Sequence, residues 1–203
     1  MLLDLLRGLG TSLEIFAFTL LIALPLGFPL ALGRMSKNRL VSGAIGVWIS
    51  IVRGTPLMLQ IIFVYFAPYI LFGMPLARYP RLLATVLAFG LNYGAYFAEI
   101  YRGGILAVDP GQHEAAKALG LTRAQTFFRI ILPQTVKRVI PAVGNEVITL
   151  VKDTSLAFTI AKQLSSANTT MTPLIAAAAF YYAFNYLVAF AMGRIEKRFA
   201  YYA

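Results

Sequence analysis

The sequence predicts an all-α integral membrane protein: a bundle of about five transmembrane helices with one short helix in a cytoplasmic gap between spans. Three observations predict it. Of 203 residues, 59% are hydrophobic and 13% charged, with a mean hydropathy of +0.73; a soluble domain carries roughly 25% charged residues. The charge-free runs 15–33, 54–77, 82–98 and 163–193 each reach the roughly 17–25 residues that cross a bilayer. They are continuous rather than alternating, and an unclosed strand leaves backbone groups unpaired in lipid, so helices are the solution. Finally, Lys and Arg are unevenly shared between the gaps.

Taken in order, the first span covers about 12–33. Its apolar core exceeds the roughly 7–15 residues of a signal-peptide core, and "LALGRMSKNR" offers no small-x-small cleavage site, so it reads as a retained span. Pro25 and Pro29 lie inside it; each removes a helical hydrogen bond that neighbouring helices must make good. The second span, about 54–72, opens at Arg53-Gly54-Thr55-Pro56, read as a cytoplasmic anchor followed by a helix start. In the third, about 81–101, Asn92, Tyr96 and Glu99 stand at i, i+4 and i+7 and share one helical face. The fourth, about 131–152, contains Pro141 and is interrupted by Lys137, Arg138 and Glu146. The fifth, about 173–193, starts at Thr172-Pro173, an N-cap followed by proline, after the polar loop "SSANTT". The whole chain, 1–203, reads as a single transmembrane domain without internal repeat.

Charge sets the orientation. The gap 34–53 holds Arg34, Lys37, Arg39 and Arg53; the gap 102–138 holds six basic residues and the tail after Gly193 three, thirteen in all. The opposite side holds Arg7, Arg78, Arg81, Lys152 and Lys162. The excess belongs in the cytoplasm, which puts the N-terminus outside and the C-terminus inside. The net charge of +10 forms no single basic stripe, so a lipid bilayer rather than nucleic acid is the implied partner. With no cysteine and one histidine, His113, neither a metal cluster nor a nucleophile–base pair is available, and no metal site or catalytic residue is predicted.

The cytoplasmic loop 102–130 contains "EAAKALG" (114–120). Asp109 is a good N-cap, Pro110 suits the first helical position, and Gln112 is placed to close a capping box. Gly120 supplies a left-handed end, and Thr122 with Gln125 repeats the capping pattern. A helix of about ten residues follows, fixed at both ends, whose Ala115, Ala116 and Ala118 let another backbone approach. Large apolar anchors would suit a headgroup helix better; alanines suit docking.

"EAAKALGLTRAQTFFRIILP" (Glu114–Pro133) resembles the EAA signature of permease subunits of bacterial ABC importers, with Glu114, Ala115, Ala116, Gly120, Ile130, Leu132 and Pro133 on its defining positions. "VRGTPLMLQ" (52–60), "AEIYRGGI" (98–105), "DPGQHEAA" (109–116) and "VKDTSLAFTI" (151–160) are similar to the polar amino-acid branch of that family. The resemblance implies a type I importer fold. Glu114, Ala115, Ala116, Ala118, Leu119 and Gly120 would form a coupling helix seated on an ATPase subunit. Two copies of that ATPase would bind the ATP and magnesium, this chain holding no cofactor; it lacks the Gly-x-x-x-x-Gly-Lys-Ser/Thr loop. A second permease subunit, identical or homologous, and an extracytoplasmic solute-binding protein would complete the transporter. A polar amino acid would cross by alternating access, with no catalytic chemistry on this chain.

Ionisable groups inside spans are costly and tend to be functional. The candidates for solute binding or for lining the path are Glu99, Asn92, Tyr96 and Glu146, with Asp153 and Ser155 at the end of the fourth span. Glu99 has a competing partner in Arg102, three residues on. The alternative function is an ion-coupled secondary transporter or channel using Glu99 and Glu146; such folds commonly carry internal repeats, and none is visible here.

Overall fold

Every long apolar run in the described part of the chain becomes a helix. The structure is a computed structural model, and it describes residues 2–75, 80–155 and 172–200. The "SSANTT" loop, Lys162, Arg78 and the segment 156–160 lie outside those residues. The helices are α1 (Leu2–Arg34), α2 (Arg39–Gly54), α3 (Leu57–Phe72), α4 (Arg81–Leu106), α5 (Pro110–Ala118), α6 (Arg123–Thr126), α7 (Leu132–Asp153) and α8 (Thr172–Ala200), with a π-helical turn at Phe127–Ile131 between α6 and α7.

α4 is the hub, packing against α1, α2, α3 and α7. Its pairing with α1 is the most extensive contact, and small residues make it possible. Along α1, Ser12, Ile15, Thr19, Ala23, Gly27 and Ala31 are buried at helical spacing. On α4, Gly90 and Gly94 receive Ile22 and Leu26 of α1, and the backbone of Phe97 and Ala98 lies against Gly27. A Cβ on Gly27 would lie 2.8 Å from Phe97 Cβ, and one on Gly94 2.9 Å from Leu26 Cδ2. Close backbone approach through small residues replaces the hydrophobic drive that lipid cannot supply. Gly104 plays the same part farther along α4, where Thr135 and Val139 of α7 occupy the space. α1 continues as helix through both of its prolines.

Three of the helices, α1, α4 and α8, are individually long and apolar enough to cross a membrane. The second span differs from the reading 54–72. α3 alone has 16 residues, about 24 Å at 1.5 Å per residue, short of the roughly 30 Å hydrocarbon core. Residues 39–53, read as part of a gap, join Gly54 in a second helix instead, and α2 with α3 makes one broken pair bent by 112°. The cause is local: Gly54 and Pro56 flank Thr55, whose backbone is extended at φ −116°, ψ 144°, because the residue before a proline avoids the helical region. Arg53 therefore stands in the last turn of α2, at the bend, and leaves the inter-span charge count. Arg39, the first residue of α2, leaves it too, and eleven basic residues against five keep the asymmetry.

α7 has 22 residues, enough length for a crossing, but it is not among the helices that qualify on apolar character. It compensates by burying Thr135, Val139, Gly144, Val147, Leu150 and Val151. The π turn before it was invisible in the sequence pattern. Pro133 has no N–H and its ring displaces the carbonyl one turn back; widening the preceding turn relieves both.

Candidate functional site

Two regions hold most of the residues singled out by sequence. The first is the short helix α5. Asp109 Oδ1 accepts from Gly111 N at 2.7 Å, and Pro110 takes the first helical position. Gln112 does not act as the capping-box partner; its Oε1 accepts from Gln134 Nε2 at 3.2 Å, tying α5 to the start of α7. Gly120 has φ +73°. Gly120 N donates to Lys117 O at 3.0 Å and Leu121 N to Ala116 O at 3.0 Å, the Schellman pair that closes a helix on a left-handed glycine. Thr122 and Gln125 then form both bonds of a capping box. Ala116 is fully buried against the bundle, while Glu114, Ala115, Ala118 and Gly120 are exposed and Leu119 is 78% exposed. A helix rigidly closed at both ends thus rests on the bundle through one alanine and turns the rest outward.

The second region is a cavity of about 350 Å³ between the α2–α3 bend, α4 and α7. Thr55, Pro56 and Leu57 line it from the bend, Asn92, Tyr93 and Tyr96 from α4, and Glu146, Thr149 and Asp153 from α7. The three α7 residues are spaced three and four apart, one face of a helix. Four sequence candidates therefore meet here: Asn92, Tyr96, Glu146 and Asp153. Two do not. Glu99 Oε2 accepts from Arg102 Nη2 at 2.7 Å and from Nε at 3.0 Å, and it is absent from the lining. Ser155 lines a neighbouring cavity of about 350 Å³ with Lys152, Tyr181, Tyr182 and Asn185.

Sequence reasoning missed Tyr93, Thr149, Thr55 and Gln60. Thr149 was findable, one turn from Glu146 on the same face. Tyr93 is buried, and its hydroxyl donates to Asp153 Oδ2 at 2.6 Å. Gln60 Nε2 lies 2.7 Å from Val52 O, 3.1 Å from Thr55 O and 2.9 Å from Thr55 Oγ1, and its Oε1 accepts from Asn92 Nδ2 at 3.1 Å. One side chain thereby closes the bend and joins it to α4. The Arg53 guanidinium stacks over the Tyr96 ring, 4.9 Å from its centroid. The bend, read as an anchor and a helix start, is a wall of the cavity.

The bundle thus carries a short helix closed at both ends and a walled polar cavity. Residues 23–201 match the family described as "Binding-protein-dependent transport system inner membrane component". The chain belongs to that family. It is 42% identical over 167 residues to "Probable amino-acid ABC transporter permease protein y4tG" of Sinorhizobium fredii, covering 80% of this chain and 70% of that protein. It is 38% identical to the nopaline transport system permease protein NocM of Agrobacterium fabrum, covering 91% of this chain and 83% of the relative. Among solved structures, it matches the crystal structure of an amino acid ABC transporter with histidines at TM-score 0.83 and 33% identity, over 96% of this chain and 93% of that one. This family member is therefore a multi-pass inner-membrane component of a binding-protein-dependent transporter.

Proposed function

We propose that the protein is the permease subunit of an ATP-driven importer of polar amino acids, that α5 is its coupling helix, and that the cavity between the α2–α3 bend, α4 and α7 lies on the solute path. The observation that carries the reading is α5 itself. Its caps make it a stiff lever, its exposed Glu114, Ala115, Ala118 and Leu119 present a charged, a closely approachable and an apolar contact, and Gln112–Gln134 joins it to α7. Displacement of α5 by a partner therefore moves α7, which carries Glu146, Thr149 and Asp153. An ATPase subunit that closes on ATP supplies the push, and alternating access is the result at the cavity.

Two ATPase copies, which hold the ATP and magnesium, and a second permease subunit complete the two-fold motor. A solute-binding protein outside delivers the amino acid. The exposed apolar face of α8, with Ile175, Tyr182, Tyr186, Leu187 and Phe190, is available to lipid or to the second permease. In this reading α5 is cytoplasmic, the N-terminus outside and the C-terminus inside. Asn92, Tyr96, Glu146 and Asp153 face the solute, Glu99 is held by Arg102, and Ser155 lies beside the path.

The test is reconstitution in proteoliposomes. Uptake of amino acids should require ATP, the ATPase subunit and the binding protein together. Uptake by the permease alone, driven by an ion gradient without ATP, overturns the reading in favour of a secondary transporter.

A further inference from the structure

The α2–α3 bend decides which way two amides face, and through them the chemistry the cavity offers. A helix that breaks leaves its last carbonyls without partners. Here Gln60 satisfies two of them, Val52 O at 2.7 Å and Thr55 O at 3.1 Å. A backbone carbonyl only accepts, so the Gln60 group facing them is its NH2. The third neighbour, Thr55 Oγ1, spends its own hydrogen on Ile51 O at 2.9 Å and therefore also accepts from Gln60. The orientation of Gln60 is thus assigned by its hydrogen-bond network. Its Oε1 then faces Asn92 at 3.1 Å, and only the Asn92 NH2 complements an acceptor. Asn92 keeps its acceptor Oδ1 wholly uncommitted, beside the second hydrogen of an NH2 that is held toward Gln60, on a residue that lines the cavity.

The rest of the lining points the same way. Glu146 and Asp153 are carboxylates. The Tyr93 hydroxyl hydrogen is committed to Asp153 and that of Thr149 to Asn145 O at 3.0 Å. Thr55 has spent its hydrogen on Ile51 O of α2. Two carboxylates, an amide oxygen and three hydroxyls whose hydrogens are already donated outweigh the one uncommitted hydroxyl, that of Tyr96, and the Arg53 guanidinium over its ring, and make an acceptor-rich site.

Resting on the reading of this cavity as part of the solute path, we propose that Gln60 is a positioning residue that fixes the Asn92 acceptor toward the cavity, and that the solute class is an amino acid with a cationic side chain. An ammonium or guanidinium brings several donors and no acceptor, which is the complement of this lining. Gln60 acts through Asn92 and does not touch the solute.

The experiment measures equilibrium binding of radiolabelled L-arginine, L-glutamine and L-glutamate to the permease–ATPase complex in nanodiscs, without the binding protein, whose own selectivity would mask that of the cavity. Wild type should bind arginine at least tenfold tighter than glutamate. Gln60→Met frees the Asn92 amide to turn its donor inward, and should weaken arginine about five- to tenfold while changing glutamate less than twofold. In the Asn92→Asp background, both oxygens at position 92 accept in either rotamer. There Gln60→Met should cost arginine less than twofold, a rescue that a merely structural strut cannot show. An equal loss in both backgrounds, or an equal loss of arginine and glutamate, overturns the positioning role. Wild type preferring glutamate overturns the solute class. If Gln60→Met does not assemble, Asn92→Leu carries the test, expected to weaken arginine by a similar factor and leave glutamate unchanged. Failure of the underlying reading shows separately: Glu146→Gln and Asp153→Asn would both leave binding untouched.

Discussion

Tyr93 of α4 donates its hydroxyl hydrogen to Asp153 Oδ2 of α7 at 2.6 Å across 60 positions of sequence. The bond ties the hub helix to the far end of α7, the helix whose start is joined to α5 through Gln112 and Gln134. It leaves the second Asp153 oxygen for other partners, so one carboxylate both clamps two helices and faces the cavity. Asp153 is also the last residue of α7, where Thr154 closes the helix with its hydroxyl bonded to Val151 O at 3.2 Å.

Tyr93→Phe should therefore keep the ring packing against Phe89 and Phe97 and lose only the bond to Asp153. A hydrogen bond to a charged group is worth roughly 1.5–3 kcal/mol net. The thermal midpoint of the purified complex should fall, and the KM for uptake should change by more than kcat. A variant indistinguishable from wild type in both would show that the clamp has no energetic weight.

The coupling role of α5 is tested at its C-cap. Gly120 sits at φ +73° with nothing within 4 Å of where a Cβ would be, so substitution strains the backbone without causing a clash. Left-handed backbone costs an ordinary residue about 1–2 kcal/mol and a β-branched one more. Gly120→Val should insert normally and yet lose most stimulated ATPase activity, while Glu114→Lys should weaken assembly with the ATPase. Normal ATPase stimulation in both would remove the docking role from α5.

The α1–α4 contact predicts a graded packing series. Gly10 has nothing within 4 Å of a built Cβ, whereas Gly27 meets Phe97 Cβ at 2.8 Å. Gly10→Ala should leave thermal stability unchanged within error. Gly27→Ala should destabilise by about 1–3 kcal/mol, the usual cost of overpacking, and Gly27→Leu should prevent recovery of folded protein in detergent. Equal tolerance at both positions would contradict the close approach.

For Glu99, the geometry predicts indifference. Its carboxylate is bound by Arg102 in the same helix at 2.7 Å, an i,i+3 pair of the kind worth roughly 0.3–0.5 kcal/mol. Glu99→Gln should change uptake by less than twofold and leave selectivity among basic, neutral and acidic amino acids intact. Selective loss of basic amino-acid uptake would put Glu99 on the solute path after all.

Orientation is read by cysteine labelling in intact cells. Gln112→Cys, on α5, should resist a membrane-impermeant thiol reagent. Met74→Cys, just beyond α3 and 54% exposed, should react. The reverse pattern would invert the topology.

The amino-acid sequence by itself determined whatever depends on neighbours along the chain. Hydropathy located α1, α4 and α8 because crossing a bilayer demands length and apolarity of one continuous segment. Caps located α5 and its successor because Asp109, Gly120, Thr122 and Gln125 act on backbone groups within a few residues. The helical period placed Asn92 with Tyr96, but it equally placed Glu99 with them, since period records which face a residue shares and not what opposes it. Tertiary structure alone decided the rest. It turned 39–53 from part of a gap into most of one half of a broken pair, because a helix this amphipathic is stable only once α4 covers its Ile49 face. It also brought Gln60 to Asn92 and Tyr93 to Asp153, separations of 32 and 60 residues. A polar side chain in a membrane bundle is satisfied by whichever helix packs beside it, and packing partners are set by the shapes of whole helices rather than by local sequence.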